Sequence, residues 1–147
     1  MPDLDAKDKE YLIKKQACFS QLTDKECEIL VSLLKEKSFK AGETIVTEGD
    51  IVDCVYLIIG GIADVRHVFL NNGITEFQSI AHLGPEQAIG LNEFGFYSLS
   101  GVRTASVVAL TDMTALQFSV AAFHGFALAY PHVNEVMRNF VKVNEKS

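Results

Sequence analysis

Gly90-Leu91-Asn92-Glu93-Phe94-Gly95-Phe96-Tyr97-Ser98-Leu99-Ser100-Gly101-Val102-Arg103-Thr104-Ala105-Ser106-Val107-Val108-Ala109 is the stretch around which the rest of the sequence falls into order. Its second half, Thr104–Ala109, is a run of small and β-branched residues that predicts a buried strand. Arg103 stands at the mouth of that strand, and the hydroxyl of Thr104 follows it. The first half is punctuated by glycines, predicts a loop or short helix, and carries one acid, Glu93. A guanidinium presents a fixed fork of donors that suits a phosphate or carboxylate. Backbone N–H groups at a glycine-rich turn add a second element that favours anions. An acid nearby accepts from sugar hydroxyls. These are the parts of a pocket for a small phosphorylated ligand.

Downstream, Leu110-Thr111-Asp112 predicts a turn, Met113–Ser119 a last strand, and Val120–Ala129 a helix that Tyr130-Pro131 interrupts. A final helix is expected beyond it, with Val133, Val136, Met137, Phe140 and Val141 on one face. Upstream, from Ser38, short strand patterns alternate with turns at Ala41-Gly42-Glu43, Glu48-Gly49-Asp50, Gly60-Gly61 and Leu83-Gly84-Pro85. Asn71-Asn72-Gly73 signals a hairpin. Many short strands in one block predict a sandwich or jelly roll. Ahead of them, Met1 to about Gln16 favours helix, and Thr23 with Glu26 makes a capping box for a second helix. Cys27, Ile29, Leu30, Leu33 and Leu34 give that helix an apolar stripe. The layout is one mainly β domain with flanking helices: helices over about residues 5–36, a β jelly roll over about 37–119 and C-terminal helices over about 120–145.

Composition narrows the function. The 147 residues are 48% apolar and 22% charged, an ordinary globular balance. Thirteen basic against nineteen acidic residues leave a net charge of −6, which argues against a nucleic-acid surface. No apolar run approaches the ~20 residues of a membrane helix, and the acidic N-terminus is no signal peptide. Cys18, Cys27 and Cys54 lack metal-site spacing and predict reduced, cytoplasmic thiols. His67, His82, His124 and His132 share no ligand spacing, so no metal is expected. No nucleophile has a base at recognisable spacing and no P-loop is present, so no enzyme is expected.

The order of signals carries a resemblance. Phe19-Ser20-Gln21-Leu22 precedes a capped helix; Lys40-Ala41-Gly42-Glu43-Thr44-Ile45, Glu48-Gly49-Asp50, Tyr56-Leu57-Ile58-Ile59-Gly60-Gly61 and Leu83-Gly84-Pro85 follow; Val102-Arg103-Thr104-Ala105-Ser106-Val107-Val108-Ala109 closes the series. From about Leu12 to Phe140 the chain resembles the cyclic nucleotide-binding domain family. The resemblance implies a β jelly roll whose phosphate-binding cassette reads Phe-Gly-Glu-Leu-Ala-Leu, a variable turn, then Pro-Arg-Thr or Pro-Arg-Ser. It implies that Arg103 pairs with the cyclic phosphate, that Thr104 touches phosphate or purine, and that a glutamate accepts from the ribose 2′-hydroxyl.

The glutamate is where this chain departs. With Gly90 as the cassette glycine the acid position falls on Leu91. With Glu93-Phe94-Gly95-Phe96 as Glu-Leu-Ala-Leu the acid is kept, the arginine spacing fits, and Asn92 takes the glycine position. The second register is preferred and both stay open. Val102 replaces the proline, and Glu86 replaces the glycine that usually follows Pro85. The ligand-binding set is therefore Gly90, Leu91, Asn92, Glu93, Phe94, Arg103 and Thr104. The plainer alternatives are an ion pair of Arg103 with Glu86 or Glu93, and turn roles for the glycines.

The resemblance implies a non-enzymatic regulatory domain that binds a cyclic nucleotide, with cAMP favoured over cGMP. No helix-turn-helix follows, so a stand-alone sensor is expected. Its C-terminal helix would meet a protein partner or a second copy through Val133, Val136, Met137 and Phe140; the plainer alternative is that this face packs on the barrel. The alternative is a degenerate member that has lost nucleotide binding and serves as an interaction scaffold or holds another small anion.

Overall fold

A computed structural model describes residues 6–16, 19–92, 95–96, 102–133 and 135. Helix α1 (Ala6–Lys15) leads to α2 (Asp24–Ser32). Thr23 starts α2 as the sequence predicts: the Glu26 backbone N–H donates to its Oγ1, and its own N–H donates to Glu26 Oε1 at 2.8 Å. Each bond satisfies a donor that the first helical turn would leave orphaned.

The strands are β1 (Lys35–Phe39), β2 (Thr44–Val46), β3 (Cys54–Gly60), β4 (Ala63–Asn71), β5 (Ile74–Leu83), β6 (Ala88–Ile89), β7 (Leu91–Asn92), β8 (Gly95–Phe96), β9 (Ser106–Ala109) and β10 (Met113–Ser119); α3 (Val120–Ala129) follows. They form an antiparallel sheet ordered β1-β10-β3-β6, a second ordered β2-β9-β4-β5, and a small β7-β8 pair. This is a mainly β, jelly-roll arrangement with flanking helices.

Period-two alternation explains how the layers stack. In β3, Val55 and Leu57 join the helices in one core, while Cys54, Tyr56 and Ile58 face the interior of the roll. In β10, Leu116 and Phe118 face the helices, and Met113 and Ala115 face the interior. These two strands lie in the middle of their sheet and are apolar on both faces, as their continuous apolar runs require. Phe19, Phe118, Phe123 and Phe126 pack tilted or edge to face at 5.6–6.1 Å and fill the helix side.

Two expectations need correction here. Strand β1 begins at Lys35, three residues before the predicted change at Ser38. It is an exposed edge strand whose Lys35, Glu36 and Lys37 carry no apolar alternation; pairing with β10 from Lys35↔Gln117 onward defines it instead. Val133, expected on a partner-facing surface, is fully buried in the helix-side core and is used by this chain itself. Glu26 fixes the same segment, with His132 Nδ1 2.8 Å from Oε1. Val136, Met137 and Phe140 lie outside the described residues.

The β4–β5 hairpin turns through Asn72 and Gly73, both at positive φ (52° and 81°), the backbone an Asn-Gly turn adopts. Nearer its base, the pairing shifts between Val65 and Arg66. There the buried Asp64 accepts from Arg66 Nε at 2.9 Å and Nη2 at 2.7 Å, and also from Ser79 Oγ. Both Arg66 nitrogens are on Oδ2; Oδ1 takes the Ser79 hydroxyl and has His82 Nε2 3.3 Å away. Burial, the largest influence, pushes the Asp64 carboxyl up, but the Ser79 and Arg66 hydrogen bonds outweigh it, so it lies below the usual carboxylate range.

Candidate ligand site

Arg103 is positioned by its own backbone before its side chain does anything. Its N–H donates to the Asp50 carbonyl at 2.7 Å, and its carbonyl accepts from Gly49 N–H at 2.9 Å. The Glu48-Gly49-Asp50 turn is thereby stitched to the segment that enters β9. The predicted strand starts two residues late, at Ser106, which leaves Arg103, Thr104 and Ala105 as its approach.

The side chain of Arg103 is buried, at 7% exposure. Among the described residues its partners are few. Nη2 donates to the Cys54 carbonyl at 2.7 Å and lies 3.8 Å from Cys54 Sγ, and the largely exposed Asp53 carboxylate stands 3.9 Å away. A guanidinium taken out of water demands an opposite charge close by; a neutral carbonyl and a distant, solvated carboxylate supply little of it. Glu86, one of the acids the sequence offered as a partner, lies instead 3.8 Å from Lys15.

Gly90 follows β6, which is held on β3 by the Tyr56↔Ile89 and Leu57↔Ala88 pairs. It has φ +97°, and a Cβ built on it would stand 3.1 Å from Arg103 Nη1. The glycine lets the chain turn and lets the guanidinium approach the backbone. Both roles exceed the plain turn that the sequence also allowed.

Gly90, Arg103 and Thr104 line one cavity of about 300 Å³. Val46, Val65, Leu83, Ile89 and Val107 are among the apolar residues that make most of its wall. Its polar side chains among the described residues are Arg103, Thr104 and His67. The arrangement suits an anionic head on an otherwise apolar body.

His67 was not singled out by the sequence as a ligand contact. It stands two residues after Val65 on β4, and both line the cavity; that i, i+2 relation is the signal that could have found it. Its Nδ1 is 2.7 Å from Glu48 Oε1. The Glu48 N–H in turn donates to the buried Ser106 Oγ at 2.9 Å.

The other predicted residues divide. Leu91 and Asn92 form β7 and pair with Phe96 and Gly95 of β8, so the described part of this stretch is extended, where a loop or short helix was expected. Two-residue strands carry no periodicity for a sequence to show. Glu93 and Phe94 lie outside the described residues. No group of three His, Cys, Asp or Glu among the described residues is arranged to hold a metal ion. No described helix is long and apolar enough to cross a membrane.

Comparison with known proteins agrees with this geometry. The family profile described as "Cyclic nucleotide-binding domain" matches residues 36–130. A cGMP-dependent protein kinase of Plasmodium berghei is 32% identical over 62 residues, 42% of this chain; the match spans 7% of the kinase. In structure, the N-terminal domain of a transcriptional regulator from Streptomyces coelicolor superposes with a TM-score of 0.77 at 21% identity, over 92% of this chain and 90% of that one. The regulatory domain of Toxoplasma gondii PKA, co-crystallised with cAMP, superposes with a TM-score of 0.70 at 20% identity, over 84% of this chain and 46% of that one. The two structural matches speak to the fold, and the profile, spanning well over half of the sequence, speaks to descent: the chain belongs to the cyclic nucleotide-binding domain family.

Proposed function

We propose that this chain is a non-enzymatic, cytoplasmic regulatory domain that binds a cyclic nucleotide, cAMP ahead of cGMP. The observation that carries the reading is the buried Arg103 at the wall of an apolar cavity, with Gly90 against its guanidinium. In this reading the cyclic phosphate supplies the negative charge that the described residues around Arg103 provide only at a distance, Thr104 adds a hydroxyl, and the apolar wall takes the purine. The structural relative from Toxoplasma gondii was crystallised with cAMP, and the curated kinase match is cGMP-dependent by name; both support a cyclic nucleotide as the ligand class.

Binding would favour one position of the Arg103 segment and of the Glu48-Gly49-Asp50 turn stitched to it. Cys54, whose carbonyl Arg103 holds, begins β3, and Val55 and Leu57 of that strand pack among the helices. The relay to a protein partner runs along that route to the segment anchored by His132 and Val133. Its size is bounded by the ligand's differential affinity for the two states.

One observation favours the second reading, a member that no longer binds nucleotides. Gly90 fits the cassette glycine by its positive φ and by the room that its missing side chain leaves for Arg103. That register puts Leu91 where the family has its ribose-binding acid. Thermal unfolding with each nucleotide separates the two. A ligand at a hundred times its Kd stabilises by about 2.7 kcal/mol, which moves the transition by several degrees in a domain of this size. A rise with cAMP or cGMP and none with 5′-AMP supports the sensor. An unchanged transition with every nucleotide transfers the proposal to the scaffold.

A further inference from the structure

We infer that His67, held by Glu48, reads the base of the bound nucleotide. The inference rests on the cyclic-nucleotide reading of the cavity and adds to it a residue that decides which purine is accepted.

A purine presents a polar rim. Its rim carries ring nitrogens and exocyclic amino or carbonyl groups, and a polar group buried without a partner costs binding energy. In the cyclic-nucleotide reading Arg103 and Thr104, neighbours in sequence, are assigned to the phosphate end. Among the described residues that leaves one polar side chain on the wall, His67. It comes from a different strand, β4, and so can meet a different part of the ligand.

The ring is not free to choose its chemistry. An ionised carboxylate only accepts, so the 2.7 Å contact with Glu48 Oε1 puts a proton on Nδ1. In the neutral ring Nε2 is then an acceptor. An acceptor at this place matches an exocyclic amine, present on adenine and guanine and absent from hypoxanthine. Glu48 is itself fixed on both sides. Its N–H donates to Ser106 Oγ, and the next residue, Gly49, donates to the carbonyl of Arg103. One turn therefore sets both polar ends of the cavity, the guanidinium through the backbone and the imidazole through a side chain. Glu48 is the positioning residue and His67 the specificity residue.

The test is calorimetric titration of the full chain with cAMP, cGMP and the 3′,5′-cyclic monophosphate of inosine. We expect at least one amine-bearing nucleotide to bind about five- to tenfold more tightly than the inosine form, the worth of one hydrogen bond. In His67→Ala that ratio falls to within about twofold, and His67→Gln, which keeps an acceptor, restores part of it. Glu48→Ala lowers the ratio while leaving inosine-nucleotide binding near the wild-type level, whereas a merely structural role would weaken all three alike. A ratio unchanged in His67→Ala, or the absence of any ratio in the wild type, overturns the inference while the measured binding keeps the sensor reading intact. A folded wild type that binds none of the three overturns both.

Discussion

A Cβ on Gly90 would stand 3.1 Å from the Nη1 of Arg103, with Gly90 at φ +97°. The two residues are thirteen apart in the sequence and meet because β6 and the approach to β9 both border the same cavity. Gly90→Ala strains the backbone and crowds the guanidinium. We predict a loss of about 1–2 kcal/mol in stability and a cyclic-nucleotide affinity lower by roughly tenfold, read by chemical denaturation and calorimetry on the same preparation.

Glu86 also sits at positive φ, +74°, without glycine's freedom. Its N–H donates to the Ile58 carbonyl at 2.9 Å, and its carbonyl accepts from Gln16 Nε2 at 2.8 Å, so the surroundings hold the left-handed backbone in place. Its carboxylate contributes only a loose, exposed contact with Lys15. Glu86→Gly relieves the strain at an entropic cost in the unfolded chain. A net gain of about 0.5–1 kcal/mol is expected, checked by the midpoint of urea unfolding.

Asp64 makes stability depend on pH in a definite direction. Its carboxyl lies lower in the folded chain than in the unfolded one, because the Ser79 and Arg66 hydrogen bonds overcome burial. The stabilisation is therefore complete above the unfolded carboxylate value, about 4, and is lost as pH falls through the lower folded value. Asp64→Asn removes that part of the acid sensitivity and costs on the order of 2 kcal/mol at neutral pH, leaving Arg66 without its anion. Denaturation curves of both proteins from neutral to acid pH give the comparison.

What the sequence discloses follows how local each signal is. The capping box at Thr23 and Glu26, the Asn72-Gly73 turn, and the spans Met113–Ser119 and Val120–Ala129 are written in adjacent residues, and the structure reproduces them. Strand β1 is defined by its partner and carries charges, so periodicity misses it. Arg103 stands out as a lone cation at a strand mouth, but its nearest acceptor among the described residues is a backbone carbonyl, on Cys54, which no residue type announces. The His67–Glu48 contact and the cluster on Asp64 depend on strand register and on a turn meeting a sheet. Those are long-range facts that composition and spacing do not carry. The choice between Leu91 and Glu93 for the acid position belongs with them; the room that Gly90 leaves for Arg103 bears on it where spacing could not.

Whether Arg103 holds the phosphate is decided by calorimetric titration with cAMP of the wild type, Arg103→Lys and Arg103→Ala. Saturable one-site binding by the wild type is expected. Arg103→Lys, which keeps the charge and loses the fork, is weaker by about tenfold or more, and Arg103→Ala by about a hundredfold or more. Wild-type binding that Arg103→Ala leaves unchanged, in a protein whose unfolding transition shows it still folded, would contradict the account.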